Sequence, residues 1–485
     1  MHYAIIMIII IVNLCKLLLN QFLYIYYMEE TRIPDFEINK QDVYTIDHIE
    51  KTNGECNAIQ HDEEEYKRKY AVVISFEELQ KYLPPDDQVL HDTGKYIMEY
   101  HKKGTYVSIK DNKLKYFLFL NRKNYIAPYQ NKIRINPKQR YNKHNAKFRL
   151  TNCLLRIINE KHEFKRIDFY IMEVLHFLKN FVNSRTVPDC NFYFNHKDQV
   201  LIHKINNIYY TPFPDVFGNV LLEDEWQNTK LGRLFSICHA KNYGDMSFVA
   251  PDDIIRINKL YSTDDDGKCV TSYKYDEANA NIKWEDKKPI LFFRGTSTGC
   301  GNDIYSNQRI KLAYLDSKWN EDLDKDPSKQ IIDCKIVRWA FRLKKSEKDK
   351  MFDRIDENKL KEQGVTLGNR VPIDELFKYK YVINVDGNVA AYRLGFLFSL
   401  NAVVFIVDGK YKLWFQDKLV ENKHYIRIKS DLSDLKEKIY WCKKHDAECK
   451  QIALNALKFH NETFTNDHMY DYMIDSMNKM NEIYK

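Results

Sequence analysis

Two short segments carry most of the chemistry legible in this chain of 485 residues. The first is Phe292-Phe293-Arg294-Gly295-Thr296-Ser297-Thr298-Gly299-Cys300-Gly301. Gly295, Gly299 and Gly301 let the main chain approach a ligand closely. The hydroxyls of Thr296, Ser297 and Thr298 can donate to phosphate or ribose, and Arg294 suits bidentate phosphate pairing. The spacing is not that of a P-loop and no Lys follows a final Gly, which disfavours kinase-like phosphate transfer. The second segment is Asn384-Val385-Asp386-Gly387-Asn388-Val389-Ala390-Ala391-Tyr392-Arg393. A Gly turn opening a helix aims free N–H groups and a partial positive charge at a diphosphate. Ala390 and Ala391 are small enough for a nucleotide to rest against, and Arg393 adds a full charge. Either segment alone also reads as an ordinary strand-to-helix turn with a solvated Arg. Two in one region favour a shared anion site.

Such segments need a scaffold that gathers strand ends. Beyond residue 285, apolar runs predict strands at 289–293, 331–337, 381–385 and 402–407. Helical spacing predicts helices at 307–318, 373–377, 389–400, 431–445 and 447–460. Strands alternating with helices imply a parallel sheet, a Rossmann-like domain whose ligands sit at the carboxyl ends of its strands. Upstream, residues 106–120 read as a hairpin about Lys110-Asp111-Asn112-Lys113, and 168–182 as a helix broken at Asn183-Ser184-Arg185. A short strand is expected at 192–195, after Val187-Pro188-Asp189. Asp264-Asp265-Asp266-Gly267 superficially matches a metal-binding DxD, but it follows no apolar strand and reads as a solvated loop.

The length suits two domains, and 44% hydrophobic with 29% charged residues suits a globular protein. The net charge of +7 is the small difference between 75 basic and 68 acidic residues. That argues against a nucleic-acid partner. The basic and aromatic residues between Tyr116 and Lys143 therefore read as a solvated face. The 10 cysteines include no CxxC pair, and Cys442 with Cys449 on one helix face do not make a zinc site. Residues 3–12 and 17–27 are apolar runs, interrupted by Asn13 and Lys16. They read as a signal or membrane anchor, which implies an endomembrane, ER–Golgi-like location. A start at Met28 would leave the protein cytoplasmic instead. The sequence leaves both open.

One resemblance joins these segments. On FFRGTSTG (292–299) with Arg309 downstream, KYKYVINVDGNVAAYRLGFLF (378–398), HYIRIKSDLSDLKEKIYW (424–441) and VPDCNFYFNHKD (187–198), the chain resembles glycosyltransferases of the capsule-associated-protein type, family 90. That family includes protein O-glucosyltransferases acting on EGF-like repeats and fungal capsule xylosyltransferases. The resemblance implies a GT-B fold: α/β, two Rossmann-like domains facing a cleft, here with an N-terminal extension. The organisation expected is a hydrophobic segment at 1–27, a polar stem at 28–67, an acceptor-side domain at 68–284, a UDP-sugar-binding domain at 285–450, and helices at 451–485 that return to the first domain.

The activity implied is inverting transfer of glucose or xylose from a UDP-sugar to a hydroxyl of a protein Ser/Thr or of a glycan, with no cofactor or metal required. UDP-glucose or UDP-xylose is the implied donor, and a glycoprotein or glycan the acceptor. The alternatives are a capsule-type polysaccharide xylosyltransferase and a catalytically inactive sugar-nucleotide-binding protein. The resemblance places the catalytic base at Asp189, in the family's PD-x-E region, with Asp198 as fallback. Asn191 stands where the family motif has Glu. Donor binding is assigned to Arg294, Gly295, Thr296, Ser297, Thr298, Arg309, Asp386, Gly387, Ala390, Ala391 and Arg393.

Overall fold

Asp111 and Asn112 turn the chain back on itself between two long strands. Both hold left-handed φ, 51° and 56°, a conformation that Asp and Asn reach more readily than other side-chain residues. The computed structural model describes residues 72–73, 75–101, 103–121, 167–195, 197–212, 220–258, 281–321, 327–340, 344–345 and 352–485. The apolar segment at 1–27, the stem at 28–67, the acidic loop at 264–267 and the basic stretch beyond residue 121 lie outside them. Among the described residues no helix is long and apolar enough to cross a membrane.

The first half begins with β1 Val72–Val73, α1 Phe76–Gln80, α2 Gln88–Lys95 and a π-helical turn Tyr96–His101. The hairpin strands are β2 Lys103–Lys110 and β3 Lys113–Asn121, followed by α3 Ile167–Ser184 and β4 Cys190–Phe194. Then come β5 His203–Ile205, β6 Ile208–Tyr210, α4 Asp224–Gln227, β7 Leu234–Ser236, β8 His239–Ala240, β9 Met246–Ser247 and α5 Pro251–Ile257. Its main sheet runs β1-β3-β2-β4-β7-β9. β2 is antiparallel to both its neighbours, and the other pairs are parallel. α3 covers this sheet with Val174, Leu175, Phe177, Leu178 and Phe181, all buried at helical spacing. Burial of each large side chain stabilises the fold by about 1.5–3 kcal/mol.

The second half is a five-stranded, wholly parallel sheet. It comprises β10 Lys288–Thr296, α6 Gln308–Trp319, β11 Ile332–Arg338, the β12 Lys344–Lys345 and β13 Phe352–Asp353 pair, and α7 Glu357–Glu362. A 3₁₀ turn Ile373–Lys378 leads into β14 Tyr379–Asn384, then α8 Leu394–Leu397, β15 Val403–Val407, β16 Tyr411–Lys412 and β17 Ile426–Ile428. The chain closes with α9 Leu435–Lys444, α10 Asp446–Thr463 and α11 Asn466–Ile483. The strand order is β11-β10-β14-β15-β17. Every residue of β14 and β15 is buried, as a parallel sheet covered on both faces requires. Tyr381, Ile383 and Val385 face the core under α6, α9 and α10, while Val382, Val404 and Ile406 face the core shared with the first half. This α/β arrangement, with its Rossmann-like parallel sheet in the second half, is the GT-B architecture that the resemblance implies.

One expected element is different. Residues 389–400 do not form one helix: α8 starts only at Leu394 and a 3₁₀ turn Phe398–Leu400 follows. The Asp386 carboxylate accepts the Ala391 N–H at 3.2 Å, and the Gly387 N–H donates to the Val389 carbonyl at 2.9 Å. These local bonds compete with helical ones. Val389 and Ala390 are buried, so the turn is also packed in place. No long helix therefore points its N-terminus at Gly387.

The described residues all lie in one compact unit, 45–485, and its halves are tied at several places. β8 pairs antiparallel with β16. Buried Asp253 accepts from the Trp414 indole at 2.9 Å and from Arg256 at 3.1 Å, and Arg256 reaches His460 at 2.6 Å. α11 lies against the first half: Tyr470 packs on Phe177 and Phe181, Arg185 pairs with Asp467, and Arg233 donates to the Tyr484 carbonyl at 2.9 Å.

Candidate functional site

β10 and β14 are neighbours in the parallel sheet, so their carboxyl-end loops emerge side by side. Gly299 holds φ +106°, and a Cβ there would lie 3.3 Å from the Gly387 carbonyl oxygen. A Cβ on Gly387 would lie 2.8 Å from Thr298 Oγ1. The two expected segments therefore touch, and their glycines are what allow it.

Arg309, in the first turn of α6, ties them together. Its Nε donates to the carbonyls of Val385 (3.2 Å) and Asp386 (3.0 Å), and Nη2 to Val385 (2.9 Å). Nη1 donates to the Thr296 carbonyl at 3.0 Å and Thr298 Oγ1 at 2.7 Å. Burial first, and then neighbouring Arg393, draw its pKa down to about 9, so it remains a cation at neutral pH. Its charge lies beneath both loops. Lys344, from β12, adds a further tie by donating to the Gly299 carbonyl. Sequence reasoning missed Lys344, because nothing in its local pattern points to a loop 45 residues away.

Several assigned donor residues build the loops rather than face outward. Arg294 donates to the Asp333 carbonyl and carboxylate, both at 2.9 Å, with its guanidinium 4.5 Å from the Phe292 ring centre. It braces β10 against β11 and is not presented as a phosphate ligand. Its carbonyl accepts from Arg393 Nη1 at 2.7 Å, so Arg294 helps to aim Arg393. Ser297 is fully buried, and its hydroxyl accepts the Ala340 N–H at 2.8 Å. Ala390 and Ala391 are also buried, which leaves no open shelf for a nucleotide. Half-buried Asp386 holds the turn through Ala391, and burial pushes its carboxyl up to about 7 against the pull of that N–H and of Arg309. Gly295 accommodates two neighbours: a Cβ there would stand 2.6 Å from Phe293 Cζ and 3.5 Å from Arg393 Nη2.

The two candidate bases lie at opposite ends of β4. Asp189, before the strand, accepts the Asp111 N–H at 2.8 Å, while its carbonyl accepts from Asn481 at 2.7 Å. Its carboxylate caps the β2–β3 turn. Five strand residues, at about 3.3 Å each, separate it from the far end by about 16 Å. The structure therefore does not bring Asp189 to the two glycine loops. Asp198, beyond the strand, is brought there: Tyr392 Oη donates to Oδ1 at 2.8 Å and Asn388 Nδ2 to Oδ2 at 3.0 Å. Asn191, mid-strand, accepts from Tyr106 Oη at 3.1 Å, so the missing Glu concerns the sheet and not the loops. Asn388 and Tyr392 went unassigned in the sequence, although both stand in the segment that carries Arg393. Among the described residues, no three His, Cys, Asp or Glu side chains gather as a metal would require.

The family model described as glycosyl transferase family 90 matches residues 267–485. Over these residues the chain is similar to family 90. The matched residues hold both glycine loops, Arg309 and Arg393, while Asp198 comes from the chain before them. Uncharacterized protein 179R of Invertebrate iridescent virus 6 is 28% identical over 80% of this chain and 37% of its own length. Protein O-glucosyltransferase 2 of Danio rerio is 47% identical over 22% of this chain and 21% of its own. Protein O-glucosyltransferase 3 of Homo sapiens is 32% identical over 42% and 34% respectively. The chain spans only 37%, 36% and 40% of the length of the three viral relatives it matches. Among solved structures, Anabaena HepE in complex with UDP-glucose aligns with a TM-score of 0.28 at 13% identity, over 52% of this chain and 59% of its own.

Proposed function

We propose that the protein transfers a sugar from a UDP-sugar to a hydroxyl of a protein Ser/Thr or a glycan, with inversion at C1. Glucose is the favoured sugar, because the named family 90 relatives are protein O-glucosyltransferases. The observation that carries the proposal is the meeting of Asp198 with Asn388 and Tyr392. It sets a carboxylate from the first half beside the loop that bears Arg393.

In the proposed reaction the acceptor oxygen forms a bond to C1 as the bond from C1 to the UDP oxygen breaks. Asp198 takes the hydroxyl proton, and UDP leaves with the electron pair. A carboxylate keeps lone pairs for that proton even with two donors already bound. Arg393, with the buried charge of Arg309 behind it, offsets the charge that grows on the diphosphate. Arg309 acts through the loops it ties, Arg393 by direct approach.

The test is UDP release from UDP-glucose, with UDP-xylose alongside, for wild type, Asp198→Asn and Arg393→Ala. Loss of general-base help lowers the rate by about 10²–10⁴-fold, so D198N is expected to lose that much while still binding UDP. R393A is expected to bind UDP at least about tenfold more weakly. Near-full turnover by D198N would remove Asp198 from the role.

A further inference from the structure

We infer that Tyr392 and Asn388 are positioning residues for Asp198, and that through them the donor loop of one half presents the base carried by the other. This rests on the proposal that Asp198 is the base.

Asp198 follows β4 in the first half and is itself exposed. Among the described residues, no donor from β4 reaches its carboxylate. The two side-chain donors that reach it come from 190 and 194 residues away, one to each oxygen. Two donors on two oxygens fix the plane of a carboxylate, where one would leave it free to swing.

The donors are themselves well held. Tyr392 packs against the core shared by the two halves. Asn388 Oδ1 accepts the Gly299 N–H at 3.4 Å, so one amide touches both the first donor loop and the base. Between Asn388 and Tyr392 lie Ala390 and Ala391, pinned by burial and by Asp386, and Arg393 follows next. A shift of this turn, such as a diphosphate settling on Arg393 would drive, moves the base's two anchors with it. Donor occupancy and base alignment are thereby linked through one rigid turn. The remaining lone pairs of Asp198 are left for an acceptor hydroxyl.

The test uses the full chain, UDP-glucose turnover and UDP binding by calorimetry. Tyr392→Phe removes one hydroxyl and keeps the ring packing. Loss of a hydrogen bond to a charged group changes a rate by about ten- to a hundredfold. Y392F is therefore expected to lose that much kcat, with KM for UDP-glucose and UDP affinity within about twofold of wild type. In the double variant Y392F/D198N the loss should not add to that of D198N, since the hydroxyl acts only through the carboxylate. A purely structural Tyr392 would instead lower UDP affinity or thermal stability, and its effect would add. Wild-type kcat in Y392F, or full additivity with D198N, overturns the inference while a D198N defect leaves the base assignment intact. Full turnover by D198N overturns the base assignment itself.

Discussion

Arg309→Ala should cost both stability and donor affinity, and it should do so because Arg309 is a brace. Its side chain satisfies four acceptors: the carbonyls of Val385, Asp386 and Thr296, and Thr298 Oγ1. An acceptor left unmet in a buried site costs about 1–3 kcal/mol. Water entering from the loop side would meet some of them. A net loss of about 3–5 kcal/mol is therefore expected, with a fall in melting temperature of about 5 °C or more. UDP affinity should fall at least about tenfold, because both loops lose their common anchor. Arg309→Lys keeps the charge, but an ammonium cannot fork across two loops, so most of the stability loss should remain. Thermal unfolding with and without UDP, beside calorimetric titration, measures both effects. A variant R309A that melts within about 1 °C of wild type refutes the brace. If it did so while losing UDP affinity, Arg309 would be a direct phosphate ligand instead.

Two further outcomes follow from the site. Asp189→Ala should keep UDP-glucose turnover within about twofold of wild type and lose about 1 kcal/mol of stability by urea unfolding, since the Asp111 N–H it caps is exposed to water. Loss of turnover to the level of D198N would return Asp189 to the chemistry. Asp386→Asn should reveal the sign of a buried acid. The folded carboxyl is held up to about 7 and the unfolded one titrates near 3.9, so the native state binds the extra proton between those values. Wild type should therefore lose stability relative to D386N as pH rises from about 4 to 7, with no further change above. Urea midpoints across that range read the difference, and a constant difference would show that Asp386 does not titrate there.

Four of the five strands of the parallel sheet were legible as short apolar runs with helical periods between them, and they fall within a few residues of the expected ones, while β17 is only three residues long and went unexpected. The helix at 389–400 was misread because apolar spacing cannot show that Asp386 captures the Ala391 N–H. The partner of Arg294 went unseen for a related reason. An Arg at a strand end looks available until its partner is known, and Asp333 arrives from the neighbouring strand, 39 residues on. Sequence order also could not choose between Asp189 and Asp198. The choice depends on which end of β4 meets the second half, and a motif carries no direction in space. Tyr392 was hidden in plain view, because an aromatic beside Ala-Ala reads as packing and only the fold brings a carboxylate to its hydroxyl.

The return of α11 to the first half bears on how the molecule assembles during synthesis. Tyr470 completes the packing around Phe177 and Phe181, and Arg233 waits for the carbonyl of Tyr484. The ribosome delivers the first half before its covering helix, at about 5–20 residues per second. For the tens of seconds between, α3 carries apolar surface that nothing yet shields. The first half is in this sense an unfinished domain until the second has been made, and a cut near residue 284 would not yield two independently stable pieces.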